Sequence, residues 1–272
     1  MKDAHGDRMK YYESFHSGAR FMPQLPVVVR LDGVGFSKWT KGLEYPYDKR
    51  FRELMADLTA HMVQETGAVL GYTQSDEITL ILWAEDYTSQ IYHDRRIQKI
   101  VSSMARLSAN WINRHVVEYL PEKADTWPGF DVKADQYPSI EEVANNVVWR
   151  FKDARRNSIS MAAQAEFSHK QLQGKSQKDM LAMLSDIGVD WENDYPDAFR
   201  HGIFVQRRKR KRKFTTAELE KLPEKHAARR DPNLVVERTD VVRLNMPPFT
   251  EVQNREAVIF EGADPLVAVA TP

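Results

Sequence analysis

The chain has 272 residues and no cysteine, and its 39 Lys plus Arg balance its 39 Asp plus Glu. That length fits one large domain or a core with an appendage, and the missing cysteines exclude disulfides and thiolate chemistry. The balanced charge excludes a global basic field as the means of holding nucleic acid. No window approaches a membrane-spanning run, and the opening "MKDAHGDRMKYYE" lacks the apolar stretch of a secretory signal; the expectation is a cytoplasmic protein without membrane contact.

Residues 26–31, "PVVVRL", have the apolar character of a buried strand ending at Asp32-Gly33. Asp48 predicts the N-cap of a helix with Phe51, Leu54, Met55, Leu58 and Met62 on its inner face, stopped at Gly67. Ala68–Tyr72 and Ile78–Trp83 then read as two strands of a hairpin around the acidic pair Asp76-Glu77. An amphipathic helix is predicted from about Ile91, its buried stripe running from Ile97 through Met104 to Val116. Phe130 to Gln136 is the next strand. Strand–helix–strand–strand–helix–strand is the split βαβ plan of a ferredoxin-like domain. The fold class expected is therefore α+β: a polymerase- or cyclase-palm-like antiparallel sheet with helices on one face, plus a C-terminal α/β extension. In that plan the first strand lies beside the hairpin, which brings Asp32 near Asp76 and Glu77.

Downstream, Ser139 and Glu142 predict a capping box for a helix through Val143, Val147 and Phe151, reaching about His169. Another helix starts at Gly174-Lys175-Ser176 and stops near Gly188; the first glycine of a Walker A motif would fall on His169, so that motif fails. "LVVERTDVVRLN" and "EAVIF" read as a closing strand pair, and residues 206–232, without apolar periodicity, as a mobile loop. The organisation expected is a palm-like core with a two-metal site over 1–138, a helical region completing the catalytic domain over 139–205, and a basic loop with the strand pair over 206–272.

Asp32, the Gly33 carbonyl, Asp76 and Glu77 are hard oxygen donors, which suit magnesium rather than zinc. Two such ions can position a triphosphate; the competing reading is an ordinary Asp-Gly turn and a hairpin tip. Arg96 and Lys99 share a helical face and suit phosphate, or a solvated turn. Arg150, Arg155 and Arg156, beside Asn157, are three arginines that repel one another when close unless phosphate or acid lies between them; the competing reading is plain surface exposure. Gln206 is followed by seven consecutive cations, Arg207, Arg208 and Lys209 first, which must be solvated, paired with acids or lying on phosphates. His16, His61, His115 and His169 have no metal-ligand spacing.

These residues resemble a known family, the tRNA-His guanylyltransferases and their relatives, the tRNA-repairing 3′-to-5′ polymerases. "GDRMKYYE" followed by "PVVVRLDGVGF", then "YTQSDEITLIL", "DRRIQKIVS", "FDVKADQYP", "VVWRFKDARRNS", "LQGKSQKDM" and "GVDWENDYPDAFRHGIFV" occur in the family's order, and the match fades from about Arg207 onward. The resemblance implies an enzyme that uses ATP to adenylylate the 5′-monophosphate of a tRNA, releasing pyrophosphate. The 3′-hydroxyl of an incoming GTP or other nucleoside triphosphate then attacks the activated end and expels AMP. It further implies two magnesium ions on Asp32, the Gly33 carbonyl and Asp76 with Glu77 supporting them, and nucleotide contacts from Gly35, Phe36, Ser75, Arg96 and Lys99. By the same carry-over, tRNA phosphate would be met by Arg30, Arg150, Arg155, Arg156, Asn157, Lys175, Arg207, Arg208 and Lys209, and the assembly would be a homo-tetramer.

The chain departs from the eukaryotic pattern at Ser37 (histidine there), Tyr45 (lysine there) and Arg155 to Ser158, "RRNS" in place of "HINN". Those departures resemble the bacterial, archaeal and phage-type relatives and favour templated repair of 5′-truncated tRNA over single G addition to tRNA-His. Two other readings compete: a palm-type nucleotidyl cyclase or polymerase, and a ferredoxin-like RNA-binding module, which "PVVVRLDG" disfavours by lacking the sheet aromatics of an RRM.

Overall fold

The computed structural model describes residues 3–268. After a first helix, α1 (Ala4–Ser17), comes β1 (Val27–Gly33), a one-turn α2 (Phe36–Trp39), α3 (Lys49–Thr66), β2 (Leu70–Gln74), β3 (Glu77–Leu82), α4 (Ile97–Tyr119) and β4 (Phe130–Gln136). The long α5 (Ile140–Glu166) leads through four short helices, α6 (His169–Leu172), α7 (Gln177–Asp186), α8 (Trp191–Asp194) and α9 (Asp197–Arg200), to β5 (Ile203–Lys213). Two more short helices, α10 (Thr216–Lys221) and α11 (Ala227–Arg230), precede β6 (Val235–Arg243).

The strands form one six-stranded sheet in the order β4-β1-β3-β2-β5-β6, antiparallel throughout. Local chemistry sets the boundaries as expected for α3: the Asp48 carboxylate accepts from the amides of Arg50 and Phe51, and Gly67 ends the helix at a left-handed φ of 70°. Ser139 caps α5 by accepting from the Glu142 amide.

Helices cover both faces of the sheet, not one. On the first face, Val27, Val29, Leu31, Ile78 and Leu80 pack against Leu54 and Leu58 of α3 and Ile100 and Met104 of α4. On the second, Val28, Leu70, Tyr72 and Ile81 pack against Val143, Val147 and Phe151 of α5, with Phe249 and Val258 from the C-terminal segment. Strand side chains alternate between faces, and because both alternating sets are apolar here, each face requires its own layer.

Four other expectations are corrected. The hairpin strands are offset by a residue or two, which leaves Ser75-Asp76 as the loop and places Glu77 inside β3. The α4 helix starts at Ile97, because His93, Asp94 and Arg95 all hold positive φ and break the helical path before it. The basic run is not a loop: it is the outer half of β5, hydrogen-bonded along its length to β6, so β5 crosses the 205/206 division. "EAVIF" is a π-helical turn, Ala257–Glu261, rather than the partner of β6. Among the described residues no helix is long and apolar enough to cross a membrane.

Candidate active site

β1 ends where β3 begins. Asp32 lies directly opposite Glu77 on one side and Asp131 of β4 on the other, and cross-strand partners leave the sheet on the same face. Three acids therefore stand in a row, on the α5 side. Asp131 is the one that the sequence did not single out; its place two residues before Lys133 and four before Asp135, on one face of β4, is the only signal that it gave.

Asp76 is presented differently. Ser75 adopts a left-handed φ of 50°, a conformation usually left to glycine, and the loop it opens turns back onto the end of β1. There the Gly33 amide donates to the Asp76 carbonyl at 3.2 Å. Burial pushes the Asp76 carboxyl up from the ordinary carboxylate range, and the nearby Asp32 charge adds to the push. A carboxylate raised by burial and by a neighbouring acid in this way marks a place where a cation is favoured.

Glu77 is already occupied. Arg150 of α5 clasps it with both Nε, at 2.7 Å, and Nη2, and Arg30 approaches to 3.9 Å. Burial pushes its carboxyl up, with Arg150 opposing. Arg150 is itself buried and also meets Asp153 at 3.2 Å, so this arginine binds the fold together rather than presenting itself to a polynucleotide. Arg156 is exposed and pairs with Asp153; Arg155 lies over the Trp191 ring; Asn157 is exposed at the rim of a small chamber behind Ser75. Lys175 is exposed between α6 and α7. Arg30 and Lys133 line a shallow pocket on the α5 face.

Glycines and aromatics shape the floor. A Cβ on Gly33 would lie 2.4 Å from the Phe36 ring, so this glycine is required by that packing, beyond any approach of its carbonyl to an ion. Gly35, at φ 67°, opens α2, and the Phe36 ring is buried among Trp39, Phe51 and Phe130. Beyond it opens a cleft of about 580 Å³, walled by Phe36, Ser37, Tyr45 and Phe51 on one side and Met161 and Gln164 of α5 on the other, with Ser75 and Asp76 at its floor. That volume is in the range of small-molecule and nucleotide sites.

Arg96 and Lys99 are not brought to this cleft. The Phe21 amide donates to the Arg95 carbonyl and the Met22 amide to Gln136, and Gln136 pairs with Val27. Arg96 and Lys99 therefore stand at the opposite end of β1 from Asp32, roughly 20 Å along the strand. In the β5–β6 ribbon, Arg208 is bound to Asp264, Arg212 to Glu218 and Asp240, while Arg207 is exposed and Lys209 meets only an exposed Glu237 at 3.7 Å. Among the described residues no group of three His, Cys, Asp or Glu side chains is gathered as a metal cage.

Known proteins share much of this sequence and fold. The family model described as tRNAHis guanylyltransferase matches residues 6–138. A bacterial tRNA(HIS) guanylyltransferase (Thg1)-like protein solved in complex with ATP is 36% identical, with a TM-score of 0.69 over 75% of this chain and 87% of that one. Another such bacterial protein, in complex with GTP, is 29% identical, with a TM-score of 0.70 over 94% of this chain and 97% of that one. Among curated sequences, the tRNA(His) guanylyltransferase of Schizosaccharomyces pombe is 31% identical over 56% of this chain and 58% of its own length. An uncharacterized protein of Acanthamoeba polyphaga mimivirus is 28% identical over 74% and 76%. The fold shared with the solved structures, together with these sequence matches, places the chain in the tRNA-His guanylyltransferase family of nucleotidyltransferases.

Proposed function

We propose that this protein extends the 5′ end of 5′-truncated tRNA by template-dependent 3′-to-5′ addition, using ATP to activate a 5′-monophosphate and nucleoside triphosphates as the units added. The observation that carries it is the junction of hairpin and strand: the Gly33–Asp76 backbone hydrogen bond ties Asp76, at the floor of a nucleotide-sized cleft, to the end of β1, where the Asp32 charge acts on it. The strand order β4-β1-β3-β2, with α3 and α4 as the crossovers, is in keeping with a palm-like core over residues 1–138 completed by 139–205.

Magnesium fits this donor set. Asp32, Asp76 and the Gly33 carbonyl are all oxygen donors, and an ion that keeps its remaining positions for phosphate needs no third side-chain ligand. When bound, two such ions supply neutralisation of phosphate charge and a more acidic attacking hydroxyl. The chain's own residues do the rest. The Arg150–Glu77 pair holds β3 against α5, so that Asp76 and Ser75 keep their place under the cleft. The two short walls, α2 with its following loop and the Met161–Gln164 stretch of α5, orient the nucleotide. The first bond formed joins the tRNA 5′-phosphate oxygen to the α-phosphorus of ATP, and pyrophosphate leaves. The second joins the 3′-oxygen of the incoming nucleotide to the tRNA 5′-phosphorus, and AMP leaves.

Ser37 and Tyr45 both line the cleft, at the positions where the eukaryotic pattern has histidine and lysine, which supports selection by base pairing rather than a fixed preference for G. Arg96 and Lys99, at the far end of β1, would reach phosphate in this cleft only from a neighbouring copy, in keeping with a homo-tetramer. Arg30, Arg155, Arg156, Asn157, Lys175, Arg207 and Lys209 remain exposed or half-exposed and suit a cytoplasmic tRNA's phosphates; Arg150 and Arg208 are engaged within the protein. The test is extension of a 5′-monophosphorylated tRNA lacking its first nucleotide, with each nucleoside triphosphate supplied in turn and the opposing base varied. Addition that follows the opposing base supports the proposal. Addition of G regardless of that base would favour the single-G reaction, and conversion of nucleotide to a cyclic product without tRNA would favour a cyclase.

A further inference from the structure

Behind the nucleotide cleft lies a second, inner chamber of about 50 Å³, sharing with it Pro46, Phe51 and Ser75. Its wall includes Arg52 of α3, which is only 5% exposed. The Nε and Nη2 atoms of Arg52 are fully buried and have no hydrogen-bond partner; the Tyr47 side chain is a polar neighbour, the Glu53 charge acts on it only from a distance, and no carboxylate pairs with it among the described residues. The nearest carboxylate on the chamber wall, Asp48, is already saturated: it accepts from the amides of Glu44, Arg50 and Phe51 and pairs with the Arg50 guanidinium at 2.8 Å. Burial pulls the Arg52 pKa down, yet a guanidinium keeps its proton in proteins, so the positive charge stays.

A buried guanidinium with two N–H groups unpartnered and no carboxylate against it is costly to a fold, and it is tolerated where a counter-charge completes it. The rest of the wall favours an anion as that counter-charge. Gln74 and Asn157 carry amide donors and Ser75 a hydroxyl, and the one acid present is neutralised by Arg50. A volume of this size admits a few water-sized particles, enough for a halide or a single phosphate group and too little for a nucleobase.

We propose that this chamber is an anion site, anchored by the Arg52 guanidinium, that takes a small inorganic anion from halide to phosphate in size. The same chemistry has two sources: a free anion from solution, or the terminal phosphate of a nucleotide reaching in from the cleft. The inference stands on the chamber itself and does not require the reaction proposed above.

The test is thermal unfolding of the full chain and of Arg52→Met, titrated with sodium chloride against sodium gluconate at constant sodium. The wild-type midpoint is expected to rise saturably by about 2–4 °C as chloride replaces gluconate, with the Arg52→Met midpoint flat. Equal slopes in the two proteins would overturn the site. Should Arg52→Met not fold, crystals of the wild-type protein grown in bromide decide the matter. An anomalous peak within hydrogen-bond distance of Arg52 supports the site, and density without an anomalous signal overturns it. Adding GTP or guanosine to such crystals separates the sources. A peak displaced by GTP and retained with guanosine assigns the chamber to the terminal phosphate, and a peak retained with both assigns it to the free anion.

Discussion

Asp76 lies in the hairpin loop and Glu77 in the strand, so two adjacent acids meet different surroundings: one faces the cleft floor, the other a buried arginine. Glu77→Gln leaves the buried Arg150 with Asp153 as its remaining acidic partner and is expected to cost about 1–3 kcal/mol of stability, read by urea unfolding. Glu77→Leu combined with Arg150→Met should recover most of that loss, since removing both charges leaves neither unpaired. Unchanged stability in Glu77→Gln would mean that the pair is not structural and that Glu77 is free for chemistry. Asp76 gives a pH prediction of the opposite kind. Its carboxyl is raised in the folded protein by burial and by Asp32, so in metal-free buffer the native state binds more protons than the unfolded one. Its contribution is then full below the ordinary carboxylate pKa and is lost as pH rises through the raised one. Asp76→Asn should accordingly melt higher than wild type at neutral pH, with the advantage shrinking as pH is lowered. An equal or lower melting point across the range would show that Asp76 carries no such penalty.

At the scale of elements, the tightest demand is the turn from β1 into α2. Gly33→Ala would drive a Cβ to within 2.4 Å of a ring held by three other aromatics. The expected cost is about 1–3 kcal/mol from overpacking, with nucleotide binding weakened as the cleft wall shifts; calorimetric titration with GTP checks it, and wild-type affinity and stability would refute the packing argument. The elements that could be read from sequence are those with local signals: the apolar run of β1, the Asp48 and Gly67 boundaries of α3, the strand at Phe130 and the Ser139 cap. The outer half of β5 gave no such signal. It is a ribbon without an apolar face, its backbone satisfied by β6 and its charges by Asp240, Glu218 and Asp264, and these acids lie 6 to 56 residues away. "EAVIF" is too short an apolar run for periodicity to separate strand from helix. Arg52 was equally hidden, because an arginine next to a helix's apolar stripe reads as a surface residue until the fold closes over it.

For the whole molecule, the acids and the Arg96–Lys99 pair occupy opposite ends of one sheet, a separation that residue spacing could not reveal. If those cations serve a neighbouring copy's cleft, mixing Asp76→Ala with Lys99→Ala protein should restore part of the activity that each lacks alone, since some mixed assemblies hold one intact cleft. No recovery in exchanged, co-refolded mixtures would confine each site to a single chain. The central claim, that Asp32 and Asp76 carry nucleotidyl transfer onto a tRNA 5′ end, is tested most directly at its first step. The measurement is transfer of label from α-labelled ATP to a 5′-monophosphorylated, 5′-truncated tRNA with magnesium present, by wild type and by Asp32→Asn and Asp76→Asn. The account predicts a labelled, adenylylated tRNA with the wild-type protein and a loss of about a hundredfold or more in either folded variant. Wild-type labelling by both variants, or none by the folded wild type, would contradict it.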